Sequence, residues 1–203
     1  FLYNTLDCMK WLGVANHVPQ IADMSTDLAA LLRAGISGSE LIPLEDELEL
    51  VRQYLNIQEI RFEDRFVCEI DVDERYQHCI VPKMVLQPLV ENAIRYGLGE
   101  EGKIAIQAFF DKKRNLIAVT IEDFGHGLSQ KEIDEINEPF GYRWNTGKEN
   151  RGIGIRYVKA MLSTFYQGNA DLFVNSKRGT GTKVTIILPA AKEVDEHECF
   201  DRR

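Results

Sequence analysis

Asp123 ends a row that should have stayed apolar. Ile117, Val119 and Ile121 alternate with their neighbours along 116–123, and Asp123 falls on their side. A carboxylate in that place must reach solvent or find a donor. The stretch DFGHG begins with it, and Gly125 and Gly127 allow a sharp turn and leave space beside the backbone. Such a carboxylate can accept a hydrogen bond from an exocyclic amine, adenine N6 for example. An ordinary strand-end turn explains the same residues equally well. Thr182 extends the apolar row of Val184, Ile186 and Leu188 in the same manner. It could support a bound ring or its water, although a strand former after the Gly179–Gly181 turn accounts for it alone.

Asn92 sits beside the apolar rows of the stretch 83–97, with Arg95 three and Tyr96 four residues on, so the three share a helical face. An amide oxygen can ligate Mg²⁺, which prefers hard oxygen donors. Arg95 could neutralise phosphate, and Tyr96 could pack on a base or sugar. Glu91, on the adjacent face, is a carboxylate placed for proton transfer. The plainer alternative is a capping Asn and a surface Glu91–Arg95 pair. In NRGIGIRYV, Gly152 and Gly154 precede a helical pattern, and a glycine-rich helix entry offers free N–H groups to phosphate oxygens. A lone G-x-G is weak by itself, and no G-x-x-x-x-G-K-[ST] occurs in the chain.

The elements that must position these residues follow from periodicity. Residues 1–12 read as a helix, GVANHVP breaks it, and a second helix runs from about Ile21 to Arg33. A short break between two short helices suggests an antiparallel helical hairpin. A third helix follows Pro43, with Glu45, Asp46 and Glu47 suited to the positive end of its own dipole. After Phe62 the period changes to two, and Phe66, Cys68, Ile70 and Val72 mark one face of a strand. A helix is expected over 83–97, strands at 103–110 and 116–123, a short helix at 129–136 and another helix at 153–166. Two strands near 171–176 and 182–188 close the order. NEPFGYRWNTGKEN, with Gly141 and Gly147, has no period and reads as a long loop that could close over a nucleotide. The fold class is α+β: helices first, then a mixed, mainly antiparallel sheet with helices on one face. The expected boundaries are 1–62 for the helical region, 63–190 for the α+β domain and 191–203 for a charged tail.

Composition narrows the partners. The 203 residues carry a formal charge of −8, which argues against general binding to nucleic acid. No apolar run reaches the roughly 18 residues of a membrane span, so a membrane is expected only through segments upstream of the chain. Cys8, Cys68, Cys79 and Cys199 form no C-x-x-C pair, which fits a reduced, cytoplasmic setting.

In their order, LQPLVENAIRYG, DFGHG, NRGIGI and GTGTKVTIILP resemble the N box, G1 box, G2 box and closing strand of the GHKL (Bergerat) ATP-binding superfamily. The resemblance covers about residues 66–189. FLYNTL and LEDELELVRQYLNIQEIRF extend it to the LytS/YesM-type sensor histidine kinases, in which the phosphoacceptor His directly precedes the Phe of FLYNTL. The resemblance implies ATP and Mg²⁺ as cofactors. Asn92 would hold the metal, Asp123 the adenine amino group, and Gly125 and Gly127 room for the nucleotide. Gly152 and Gly154 would form the lid hinge and phosphate-facing turn. Arg95 would lie near phosphates, Tyr96 near the base or sugar, Thr182 near adenine, and Glu91 and Asn92 would serve catalysis. It implies transfer of the γ-phosphoryl to that His and then to an Asp of a response regulator receiver domain, in a homodimer built through the N-terminal helices. The chain as given is expected not to autophosphorylate at the family position, because Phe1 follows that His. Phe124 stands where the family commonly has Asn, Tyr96 where this subfamily commonly has His, and His126 where small or apolar residues are frequent. His17, His78 and His197 lack the acceptor context and read as solvated surface histidines. Two other readings remain: another GHKL ATPase or protein-serine kinase, and a non-catalytic dimerisation module with a degenerate nucleotide pocket.

Overall fold

The computed structural model describes residues 1–62, 65–98, 102–137 and 153–190. The first two helices, α1 (Leu2–Ala15) and α2 (Pro19–Ile36), form the expected hairpin. α1 runs three residues past the expected break, because Gly13 lets it lie close to α2. A Cβ on Gly13 would stand 2.8 Å from the Ala22 nitrogen. Phe1, Leu2, Trp11 and Leu12 remain exposed along the hairpin. A short strand, β1 (Leu41–Pro43), leads into α3 (Leu44–Phe62).

The remaining elements are β2 (Val67–Asp71), α4 (Glu74–Gln77), β3 (Ile80–Pro82), α5 (Gln87–Gly97), β4 (Lys103–Asp111) and β5 (Leu116–Asp123). They continue through α6 (Gln130–Asn137), α7 (Ile153–Tyr166), β6 (Asp171–Lys177) and β7 (Gly181–Pro189). Five strands form one sheet in the order β2-β4-β5-β7-β6. Only β2 and β4 run parallel, which their connection through α4, β3 and α5 permits. The other pairs are antiparallel neighbours in sequence or nearly so.

Alternation decides which sheet face is covered. Ile104 and Ile106, Ile117, Val119 and Ile121, and Val184, Ile186 and Leu188 are buried on one side. Leu89, Val90, Ala93 and Ile94 of α5 and Ile155, Val158 and Leu162 of α7 pack in the same core. The opposite face is wet at Phe109 and Phe173 and carries a Lys183–Glu122 ion pair of 2.9 Å between adjacent strands.

The helical region and the sheet domain share this core. Leu44, Leu48, Val51 and Leu55 of α3 belong to it. Leu48 is 1% exposed. Leu48→Ala is therefore expected to destabilise the chain by about 2–5 kcal/mol, through lost transfer energy and the cavity left behind. Urea unfolding measures this directly.

Two expectations needed correction. The helix expected over 83–97 begins only at Gln87, and 80–82 forms β3, paired antiparallel with β1. Met84 takes φ +61, which a helix cannot contain. Glu47 does not serve its own helix dipole at the surface. It is 0% exposed, and its two carboxylate oxygens accept hydrogen bonds from the Met84 N–H (2.7 Å) and the Leu86 N–H (2.8 Å).

Candidate nucleotide-binding site

The site is built where the end of α5 meets the end of β5. Asp123 is 8% exposed, and its Oδ1 accepts the Gly125 N–H and the Thr182 N–H, each at 3.1 Å. Burial pushes its carboxyl above the usual carboxylate range, and the two N–H donors oppose that shift. With both bonds on Oδ1, Oδ2 is the oxygen left to accept from a ligand.

Gly97 makes this placement possible, and its only signal in the sequence is a position at a helix end. A Cβ there would stand 2.6 Å from Asp123 Oδ2 and collide with the rest of the carboxyl group. Gly125 packs on Gly97 as well, since its own Cβ would fall on the Gly97 carbonyl. Gly127, at φ +65, is closed against the Lys177 carbonyl. The room left by Gly125 and Gly127 is thus taken by backbone of α5 and of the β6–β7 turn. These glycines bring three backbone segments together.

Thr182 faces Asp123 across the β5–β7 register. Its hydroxyl lies 3.0 Å from Ser176 Oγ, while Ser176 donates to the Gly181 carbonyl at 2.8 Å. Ser176 has only one proton to give, so Thr182 is the donor in their contact. The Thr182 Oγ1 lone pairs are then directed toward any further donor. Ser176 also accepts the Leu128 N–H at 2.7 Å, which ties the turn after Asp123 to β6.

Asn92 lies between the ends of α5, on the face toward α7. Its Nδ2 is buried and has no hydrogen-bond partner among the described residues. A Cβ on Gly154 would stand 2.8 Å from that atom and 3.0 Å from the Pro88 carbonyl, so the first turn of α7 rests on this face of α5. A buried amide without a partner is costly unless something else satisfies it. A hard cation would be taken by the amide oxygen of Asn92 and not by this donor nitrogen, with its other oxygens supplied by phosphate and water. Among the described residues no group of three or more His, Cys, Asp or Glu could hold a metal ion instead.

The other expected residues lie elsewhere on α5. Glu91 and Arg95 are exposed, and both act on Tyr54 of α3. Burial pushes the Tyr54 hydroxyl up to about 12; Glu91 adds to this, while Arg61 and Arg95 oppose it. Glu91 therefore stands on the α3 side of the helix, one helical step from Asn92. The Arg95 guanidinium lies 5.6 Å from the centre of the Tyr96 ring. Gly152, Gly141, Gly147 and His197 lie outside the described residues. His17 and His78 are exposed, as expected, and His78 pairs with Glu45 at 3.2 Å.

Residues 80–192 match the family described as "Histidine kinase-, DNA gyrase B-, and HSP90-like ATPase", and the chain belongs to that family. Residues 1–66 match the family described as "Histidine kinase". The chain is similar to Sensor histidine kinase YesM of Bacillus subtilis (strain 168), with 34% identity over 196 residues, 96% of this chain and 32% of that protein. It is 30% identical over 196 residues to Sensor protein kinase HptS of Staphylococcus aureus (strain USA300), covering 95% of this chain and 36% of that one. The chain thus spans about a third of the length of these curated relatives.

Solved structures agree on the fold. The histidine kinase domain of a blue-light activated kinase from Erythrobacter litoralis EL346 aligns with TM-score 0.52 and 18% identity over 93% of this chain and 92% of that chain. The catalytic domain of histidine kinase ThkA aligns with TM-score 0.54 and 19% identity over 74% and 94%. Full-length ShkA, solved in complex with AMPPNP, aligns with TM-score 0.53 and 18% identity over 90% and 39%. No helix among the described residues is long and apolar enough to cross a membrane.

Proposed function

We propose that the chain is the ATP-binding catalytic region of a two-component sensor histidine kinase. The observation that carries this reading is the joint placement of two buried polar groups. Asp123 keeps Oδ2 clear of the two N–H donors that hold its Oδ1 at the end of β5, and half-buried Asn92, on the helix packed against it, turns its Nδ2 toward α7 without a partner among the described residues. Asp123 Oδ2 accepts the adenine amino group, with Thr182 beside it. Asn92 holds Mg²⁺, which supplies charge neutralisation at the phosphates. Gly152 and Gly154 serve as the lid hinge and phosphate-facing turn, Tyr96 serves the base or sugar, and Arg95, which acts on Tyr54 of α3, would reach the phosphates from the α3 side of the helix. Glu91 assists proton transfer from the position facing α3.

The chemistry asks mainly for positioning and charge stabilisation, as phosphoryl transfer generally does. The γ-phosphoryl leaves ADP and bonds to a ring nitrogen of a histidine placed immediately ahead of Phe1, as the resemblance of FLYNTL implies. It then passes to an Asp of a response regulator receiver domain. Residues 1–62 form the dimerisation and acceptor helices, 63–190 the catalytic domain and 191–203 a charged tail. The exposed apolar residues of α1 suit a homodimer through these helices. The whole protein works at the cytoplasmic side of a membrane, anchored through other segments.

The test uses the chain extended at its N-terminus by its natural upstream residues and incubated with γ-labelled ATP. The expected product is acid-labile label that disappears when the restored histidine is replaced. Acid-stable label on Ser or Thr would instead indicate a protein-serine kinase, and label released only as phosphate an ATPase. Asn92→Ala is expected to remove most of the Mg²⁺-dependent gain in ATP affinity, at least about tenfold by calorimetric titration, in line with loss of a charge-assisted contact of about 1.5–3 kcal/mol. An unchanged Mg²⁺ effect in that variant would contradict the metal assignment.

A further inference from the structure

Helix α5 carries Asn92, yet nothing in its own sequence caps it. Its N-cap is Leu86, which offers no side-chain bond. A helix start leaves its first N–H groups without intrahelical partners, and burial makes those orphans expensive. The acceptor comes from 39 residues earlier in the sequence. Glu47 Oε2 takes the Met84 N–H and Oε1 takes the Leu86 N–H. Met84, at φ +61, turns the backbone so that alternate N–H groups point to one carboxylate. A left-handed conformation is unfavourable for such a residue and persists only where the surroundings impose it.

The same segment is bound on its other side to the end of the helical hairpin. β3 pairs with β1, the Lys83 N–H donates to the Glu40 carbonyl at 2.9 Å, and the Leu44 N–H donates to the Cys79 carbonyl at 2.8 Å. Lys83 Nζ donates to the Ser37 carbonyl at the C-terminus of α2, and the Met84 side chain rests on Gly35. One short stretch, residues 79–86, therefore joins α2, α3 and the start of α5. Past that start, Pro88 and Asn92 form the surface on which Gly154 packs.

We propose that Glu47 is a positioning residue for the phosphate side of the site: its carboxylate fixes the N-terminus of α5 to α3 and so holds Asn92 and the α5–α7 contact in place. The inference rests on the reading of Asn92 as the metal-side residue. The adenine side depends on Asp123, the β5–β7 pairing and Gly97 at the far end of α5, none of which Glu47 touches. Loss of the carboxylate should consequently separate the two halves of nucleotide recognition. A hydrogen-bonded side chain that merely held the fold together would weaken both halves in parallel.

The test compares the 203-residue chain with Glu47→Gln and Glu47→Asp. At pH 8, where Glu47 is a carboxylate, Glu47→Gln is expected to lower Mg²⁺-ATP affinity about tenfold while adenosine affinity stays within about twofold, because the amide NH₂ faces a backbone donor. Glu47→Asp, which keeps two acceptor oxygens, should recover part of the loss. Amide hydrogen exchange supplies a readout that needs no nucleotide: protection should drop about tenfold over 84–92 and stay unchanged in β5 and β7. Unchanged exchange over 84–92, or a parallel loss of adenosine and Mg²⁺-ATP binding, would overturn the inference. A parent chain that binds no nucleotide would defeat the ATP reading, and the exchange data alone would then decide the role of Glu47.

Discussion

Gly97→Ala should strip the chain of nucleotide binding, although alanine is the better helix former. In an unconstrained helix the exchange would gain about 1 kcal/mol. Here the added Cβ would lie 2.6 Å from Asp123 Oδ2 and 2.5 Å from its Cβ. Asp123 cannot swing aside without giving up the bonds from Gly125 and Thr182. Retreat of the helix would open its contact with Gly125, which packs against the Gly97 carbonyl. Overpacking of this kind costs about 1–3 kcal/mol. The net expectation is a chain that gains no stability and loses up to about 2 kcal/mol, with an ATP affinity at least about tenfold lower. Urea unfolding and calorimetric titration read the two effects separately. A Gly97→Ala chain that is more stable than the parent and binds ATP normally would show that this contact is not part of the site.

The second large effect concerns pH. Burial pushes Glu47 from 4.5 up to about 7, against the backbone N–H groups of residues 84–87 that pull it down. Its folded value thus lies above its unfolded value. The folded state binds the extra proton, so this contribution to stability is complete below pH 4.5 and is lost as pH rises through about 7. The isoelectric point of about 5.1 makes the acid end of that window prone to association. Between about pH 5.5 and about pH 8, the stability of the parent relative to Glu47→Gln should fall by about 2 kcal/mol. Parallel urea series on the two chains isolate this residue from every other titration. A constant difference across the window would mean that Glu47 keeps its charge throughout.

Much of this is legible in the sequence, and the reasons are local. The alternation in 116–123 marks both the strand and the anomaly at Asp123, because a period of two leaves a polar residue on the buried face conspicuous. Thr182 stands out for the same reason, and Gly154 because a G-x-G run enters a helical pattern. What the sequence conceals depends on distant partners. Val85 and Leu86 continue the apolar spacing of α5, and both are buried, yet they lie in the turn that Glu47 holds. Glu47 itself reads as one of three acids in a first turn, since nothing nearby tells which of them faces the interior. Gly97 reads as helix-end punctuation, and its use emerges only when β5 is laid beside α5. β1 and β3, with three residues each, are too short to show a period. Glu91 and Asn92 are adjacent candidates that a helical step of about 100° assigns to different surroundings.

The proposed function turns on Asp123 as the acceptor of the adenine amino group, and one titration tests that assignment most directly. ATP is titrated calorimetrically into the parent chain and into Asp123→Asn under identical conditions. The asparagine keeps the size of the side chain but replaces one acceptor oxygen with a donor, leaving a donor facing either the adenine amino group or the Gly125 and Thr182 N–H groups. The expected result is saturable binding by the parent and an affinity at least about tenfold weaker in the variant, equivalent to a loss of about 1.4 kcal/mol or more. Equal binding by the two chains would contradict the assignment of Asp123 to the adenine.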